Sequence, residues 1–335
     1  MRILCFGESL VRLATDAHER LEDAHMMEIS YSGAEATVAA SLSMQGDEVF
    51  YASKTSTNRI GENVLMSLSA YGINTSNVLR GPGRVGLYYV ERGKSIRPTI
   101  VTYDRTGTAL ALASHDEFDW DHILNGIEMV FLSGIIPAIS NEMRIACREC
   151  LMACKGRGIK VAFDINYRAS MWSPSDAKVM LRELLPLVDV LTASEDDILL
   201  LEEKPQVNRD SVFNVCQNAM SGLQRRFCIE NVAFIVRDTD RYDIASFRGA
   251  IINYEMTYFS KEESVSVSDL SCCGSMFSAG IVHAVASKWD AQYAIDYATI
   301  ASAYKATIRG DYSLATESDL QSLLDSSTFK PRTIQ

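Results

Sequence analysis

Apolar residues fall along this chain in short continuous runs, each followed by a longer stretch of helical periodicity. Ile3-Leu4-Cys5-Phe6, Glu48 to Ala52, Met129-Val130-Phe131-Leu132, Ile159 to Asp164, Val188 to Ala193 and Val232 to Val236 read as buried strands. Between them the spacing predicts a small-residue helix from about Ala34, a helix near Asn141 to Lys155, and another from about Ser175 to Leu185. Strands alternating with helices of this length imply a doubly wound, mostly parallel sheet with helices on both faces.

Two regions break the rhythm. Residues 13–32 and 84–111 read as strands joined by turns, with Val85 to Glu91, Arg92-Gly93 and Thr99 to Tyr103 patterned as a hairpin. The chain therefore divides into an α/β core (1–12, 33–83 and 112–335) and a small β lid (13–32 and 84–111), with a polar tail at 326–335 expected to fray. A flap inserted into such a core sits over the strand carboxyl ends, where open α/β sheets bind ligands.

Composition narrows the class of partner. A net charge of −11, dispersed along 335 residues, argues against nucleic acid or an anionic membrane surface. The opening residues read as a strand rather than a signal peptide, and no apolar run nears the ~20 residues that span a bilayer. The expected location is the cytoplasm, and the eight cysteines are expected to be thiols. Cys147, Cys150 and Cys154 fall at helical spacing without a histidine or fourth thiol nearby, which reads as core rather than a metal site.

Four separated segments carry chemistry. The first joins Phe6-Gly7-Glu8 to Ser32-Gly33-Ala34-Glu35, a turn that exposes helix N–H groups to a ligand. The second is Gly86 to Gly93 with Arg97-Pro98 and Tyr103-Asp104-Arg105: arginine forks suit a carboxylate and phenols suit sugar hydroxyls. Read as residues alone, it is also compatible with a surface hairpin bearing solvated arginines. The third is Phe163-Asp164-Ile165-Asn166-Tyr167-Arg168, a charged run at a strand end, where Arg168 faces substrate or pairs with Asp164. The fourth is Asp269-Leu270-Ser271-Cys272-Cys273-Gly274-Ser275, leading into an apolar helix.

In this order the segments resemble the PfkB (ribokinase-like) carbohydrate kinases, and within them the 2-keto-3-deoxygluconate kinases. The resemblance implies a ribokinase-like fold and ATP-dependent phosphorylation of 2-keto-3-deoxygluconate or a related sugar acid. It implies Glu8, Gly33, Tyr89, Tyr103, Arg105 and Arg168 around the sugar, with Arg168 also near the transferring phosphate. Cys272, Cys273 and Gly274 would form the anion hole, Arg237 and Gly310 would lie on the nucleotide side, and Asp197 would hold Mg²⁺ through water. It also implies a homodimer through the lid.

The transfer site departs from the family pattern. The position of the base, an aspartate in these kinases, holds Ser275, and two cysteines begin the glycine-rich triplet. A general base contributes ~10²–10⁴-fold, and a serine hydroxyl is too weakly basic to replace it, leaving Asp269 or water as the proton acceptor. Beyond Val236 the run Arg237-Asp238-Thr239-Asp240 lacks the glycines that make room for ATP, and the usual Asn-x-x-Glu reads Ser194-Glu195-Asp196-Asp197. The chain thus reads either as a sugar-acid kinase or as a catalytically impaired protein that binds a sugar acid or a partner. A ligand-free structural protein would not keep such a polar lid, and Gly7-Glu8-Ser9-Leu10 lacks the Gly-x-Gly-x-x-Gly turn of a dinucleotide-binding dehydrogenase.

Overall fold

A computed structural model describes residues 1–203, 207–240, 242–254 and 256–325. The tail at 326–335 lies outside the described residues. The strands are β1 (Arg2–Phe6), β2 (Leu10–Ala14), β3 (Glu28–Ser32), β4 (Glu48–Ser56), β5 (Val78–Gly81), β6 (Leu87–Glu91), β7 (Ile100–Asp104), β8 (Met129–Ser133), β9 (Lys160–Asp164), β10 (Val190–Ser194), β11 (Asn231–Thr239), β12 (Ile244–Asn253), β13 (Met256–Phe259) and β14 (Glu263–Ser266).

Among the described residues one large sheet runs β13-β12-β11-β10-β9-β8-β1-β4-β5, with β14 also paired to β12. From β5 to β11 every pairing is parallel. Antiparallel β12, β13 and β14 extend the edge, an extension without helices between its strands and therefore without the alternation that marks the rest. The parallel strands are buried on both faces, as their unbroken apolar runs require. Leu4 and Phe6 of β1 join Val130 and Leu132 of β8 on one side; Ile3, Cys5, Met129 and Phe131 face the other.

The first face is covered by the helices Asn141–Arg157, Pro174–Leu184 and Arg209–Phe227. Cys147, Cys150 and Cys154 are fully buried there as core side chains. The second face carries the helices Ala34–Met44, Cys273–Ala286 and Ala291–Ala306. The last two pack so closely that a Cβ on Gly280 would lie 2.7 Å from Ala298 Cα. Both the Ala34 and Cys273 helices begin near the carboxyl ends of the central strands.

The smaller sheet, β3-β2-β6-β7, stands over those ends. Its outer pairs are antiparallel and its central pair, β2 with β6, is parallel. β2 already starts at Leu10, so it straddles the boundary drawn between residues 12 and 13: after Glu8 and Ser9 the chain has left the large sheet. Among the described residues no helix is long and apolar enough to cross a membrane.

Candidate active site

A cleft of about 600 Å³ lies between the strand carboxyl ends and the lid. It brings together Glu8, Gly33, Tyr103, Arg105, Arg168, Asp197, Arg237 and the Cys272–Ser275 segment. Tyr89, Asp269 and Gly310 do not line it.

Gly33 is needed for close approach. A Cβ there would meet the Glu8 carbonyl oxygen at 2.0 Å, so only glycine lets the turn into the Ala34 helix pass over the end of β1. Glu8 is buried and accepts from Arg105 Nε at 3.0 Å and from Thr108 Oγ1 at 2.5 Å. The lid arginine expected to clamp a substrate carboxylate therefore enters the cleft already paired with Glu8, its guanidinium 5.9 Å from the Tyr103 ring.

Strand alternation decides between the two lid tyrosines. On β6, Tyr88 and Val90 face the cleft and Tyr89 points to the other side. Tyr88 stacks on Tyr103 with centroids 5.7 Å apart, and its hydroxyl donates to Asp311. The phenol expected at residue 89 is supplied by its neighbour.

At the end of β9 the backbone turns sharply, with Asn166 at φ +39°. Arg168 emerges exposed and makes no ion pair among the described residues. It acts through space on Asp164 and Asp197, whose carboxyls are nevertheless raised because burial is the larger influence on each. Asp197 caps its own helix: it accepts from Ser194 N at 2.9 Å, Ser194 Oγ at 2.6 Å and Tyr167 N at 2.7 Å.

Those three donors occupy the Asp197 carboxylate as a fixed structural acceptor. Among the described residues no group of three histidine, cysteine or carboxylate side chains is placed to hold a metal. The chain thus does not offer Mg²⁺ a coordination set of its own. On the nucleotide side, β11 continues through Arg237 to Thr239 in register with β12. Arg237 N donates to Glu195 at 3.0 Å, and burial pushes the Glu195 carboxyl up to about 7 against the opposing charge of Arg237.

The transfer end is built around a strained residue. Cys272 has φ 59° and ψ 14°, the left-handed conformation that favours glycine, and serves as N-cap without a capping side chain. Burial raises its thiol well above the ordinary range, and its Sγ accepts from Thr37 Oγ1 at 3.8 Å. The first helical bond runs from Met276 N to Cys272 O at 3.0 Å. Ser275 follows within the first turn, only 7% exposed, facing the cleft.

Asp269 lies behind this turn. It accepts from Ser271 N at 2.9 Å and Gly310 N at 3.1 Å, with Arg12 Nη2 at 3.4 Å. Burial alone would raise its carboxyl, but these hydrogen bonds and the Lys305 charge hold it below the ordinary carboxylate range. It is a weak base engaged in holding the turn, outside the cleft, and not placed to take the substrate proton in place of Ser275.

Arg12 was not evident from the motifs. It is fully buried on lid strand β2, with Asp269 on one side and Asp311 Oδ1 3.1 Å from its Nε, close but not aligned as a hydrogen bond. The available signal was a charge inside the apolar run Leu10-Val11-Arg12-Leu13-Ala14. The buried Glu35, bonded to Ser133 and raised by burial, was visible only as part of a helix start.

The profile of the "pfkB family carbohydrate kinase" matches residues 1–317. The chain is 31% identical over 322 residues to the 2-dehydro-3-deoxygalactonokinase of Haloferax volcanii, covering 96% of each protein. The crystal structure of 2-dehydro-3-deoxygluconokinase from Thermotoga maritima superposes with a TM-score of 0.90 at 28% identity, covering 96% of this chain and 98% of that one. A fructokinase from Xylella fastidiosa with bound ATP shares the fold at 19% identity and a TM-score of 0.75, covering 96% of this chain and 98% of its own. The ribokinase-like core, its lid and the full-length match agree: this chain belongs to the PfkB family of carbohydrate kinases.

Proposed function

We propose that this chain binds a 2-keto-3-deoxy sugar acid beneath its lid and transfers phosphate to it, from ATP, far more slowly than an aspartate-bearing kinase. The observation that carries this reading is Ser275, a hydroxyl at the cleft-facing position where the family pattern places the base. The neighbouring carboxylates are engaged elsewhere: Glu8 by Arg105 and Thr108, Asp197 by its helix cap, Asp311 by Tyr88 and Arg12. The sugar-acid half rests on exposed Arg168, on Tyr103, and on the names of the kinases this chain is similar to.

Binding is measured by calorimetry with 2-keto-3-deoxygluconate, and transfer by coupled ADP release. The expected result is sugar-acid binding, with ADP release rising by ~10²-fold or more in Ser275→Asp. A wild-type rate of roughly 1–100 s⁻¹, ordinary for a kinase, overturns the impaired reading. Absence of sugar-acid binding overturns the other half.

We also propose a homodimer through the lid. β7 is an exposed edge strand carrying Ile100 and Val101, with Ile29 exposed on β3, an edge that suits pairing with a second copy. Sedimentation velocity on wild type and Ile100→Asp tests this: a monomeric wild type sinks it.

A further inference from the structure

We infer that the cleft prefers the phosphorylated sugar acid, a 2-keto-3-deoxy acid bearing a phosphate monoester on its terminal hydroxyl, over the free acid. Its phosphate would sit on the N-terminus of the Cys273–Ala286 helix. The inference rests on the sugar-acid reading given above and concerns which form of that ligand the site retains.

The helix is 14 residues long and its N-cap provides no capping side chain. Its first i→i−4 bond comes from Met276, so the N–H groups of Gly274 and Ser275 have no intrahelical acceptor. Both residues line the cleft, and the space a Cβ would take at Gly274 is open. Such a terminus favours an anion through its donors and its dipole.

The second observation is Ser275 itself. Its side chain is more than nine-tenths buried, faces the cleft and makes no hydrogen bond among the described residues. A carboxylate at this position would repel the dianionic phosphate of a product and favour its release. A hydroxyl carries no charge and can donate. The substitution that removes the base therefore also removes the repulsion.

The surrounding charges agree in sign. Lys305 is fully buried, donates to the carbonyls of Asp269 at 3.3 Å and Ile308 at 3.0 Å, and acts electrostatically on Cys272 and Cys273. Arg237 also acts on Cys273 and lines the cleft with unpaired Arg168. On the negative side Asp311 lines the cleft, but it is flanked by Arg12 and accepts from Tyr88, and Asp269 lies behind the turn. A phosphate here meets two backbone N–H groups, one hydroxyl and a net cationic surround.

The test is calorimetry on the full-length protein with three probes: 2-keto-3-deoxygluconate, the same acid phosphorylated on its terminal hydroxyl, and inorganic phosphate. Wild type should bind the phosphorylated acid about tenfold or more tightly than the free acid, a gap equal to one charge-assisted hydrogen bond. Ser275→Ala should lose ~3–10-fold for the phosphorylated acid only, and Ser275→Asp at least ~10-fold, with the free acid held within threefold. Circular dichroism confirms that both variants fold. Equal or weaker binding of the phosphorylated acid by wild type overturns this inference and leaves the sugar-acid reading intact. An Asp variant that keeps the preference also overturns it. Binding of neither acid, with or without inorganic phosphate binding, overturns both.

Discussion

Replacing Arg12 with methionine would cut the ionic tie between the lid and the transfer site. Methionine keeps the length and much of the packing but removes the charge. The arginine is fully buried, and the side chains of Asp269 and Asp311 beside it are only 7% and 4% exposed. Two carboxylates would then remain in a site with little access to water. Removing one partner of a buried ion pair costs ~3–5 kcal/mol. Asp269 keeps its bonds from Ser271 and Gly310, and Asp311 keeps the Tyr88 hydroxyl, so the expected loss is near the lower bound, about 3 kcal/mol. Urea unfolding at pH 7 measures it. The triple change Arg12→Met, Asp269→Asn, Asp311→Asn should recover at least about half of the loss, because it removes the stranded charges as well as the cation. A single mutant within ~0.5 kcal/mol of wild type, the range of an ordinary surface change, would refute the reasoning.

Other outcomes follow from the same geometry. Cys272→Gly should stabilise the protein by about 0.5–1 kcal/mol in urea, since relief of a left-handed side chain (~1–2 kcal/mol) exceeds the entropy glycine adds to the unfolded chain; a loss would mean that the Thr37 contact to the thiol holds the turn. Tyr89→Phe should leave the sugar-acid Kd within about twofold by calorimetry, as for a side chain outside the site, and a large loss would reverse the face assigned to it. Asp269→Asn should be destabilising at pH 7. A carboxyl held below its unfolded value of ~3.9 contributes stability above that pH and loses it as pH falls through the folded pKa, so the gap to wild type should close below about pH 4. A gap independent of pH sinks that assignment.

Much of this molecule was legible along the chain. Short apolar runs alternating with helical stretches are enough to require a parallel sheet buried on both faces, because a strand apolar on both sides has no solvent face to offer. Four segments in order pointed to the family, and Ser275 and Cys272 stood out as departures from its pattern. The local rules behind them hold in the structure: Cys272 does occupy a left-handed position where glycine is favoured.

Tertiary structure alone decided which side chains meet. Arg12 and Asp269 are 257 residues apart and Tyr88 and Asp311 are 223 apart, so no local pattern links them. A one-residue step along β6 moves a tyrosine from one face to the other, and the register that chose Tyr88 over Tyr89 depends on β2 and β7 as partners. The same convergence paired Arg105 with Glu8 and turned Asp269 into a structural acceptor. Sequence determined which chemical groups the chain possesses and which one it has lost. Packing determined which are free to act, because hydrogen bonds and ion pairs between distant residues exist only once the fold has brought them together.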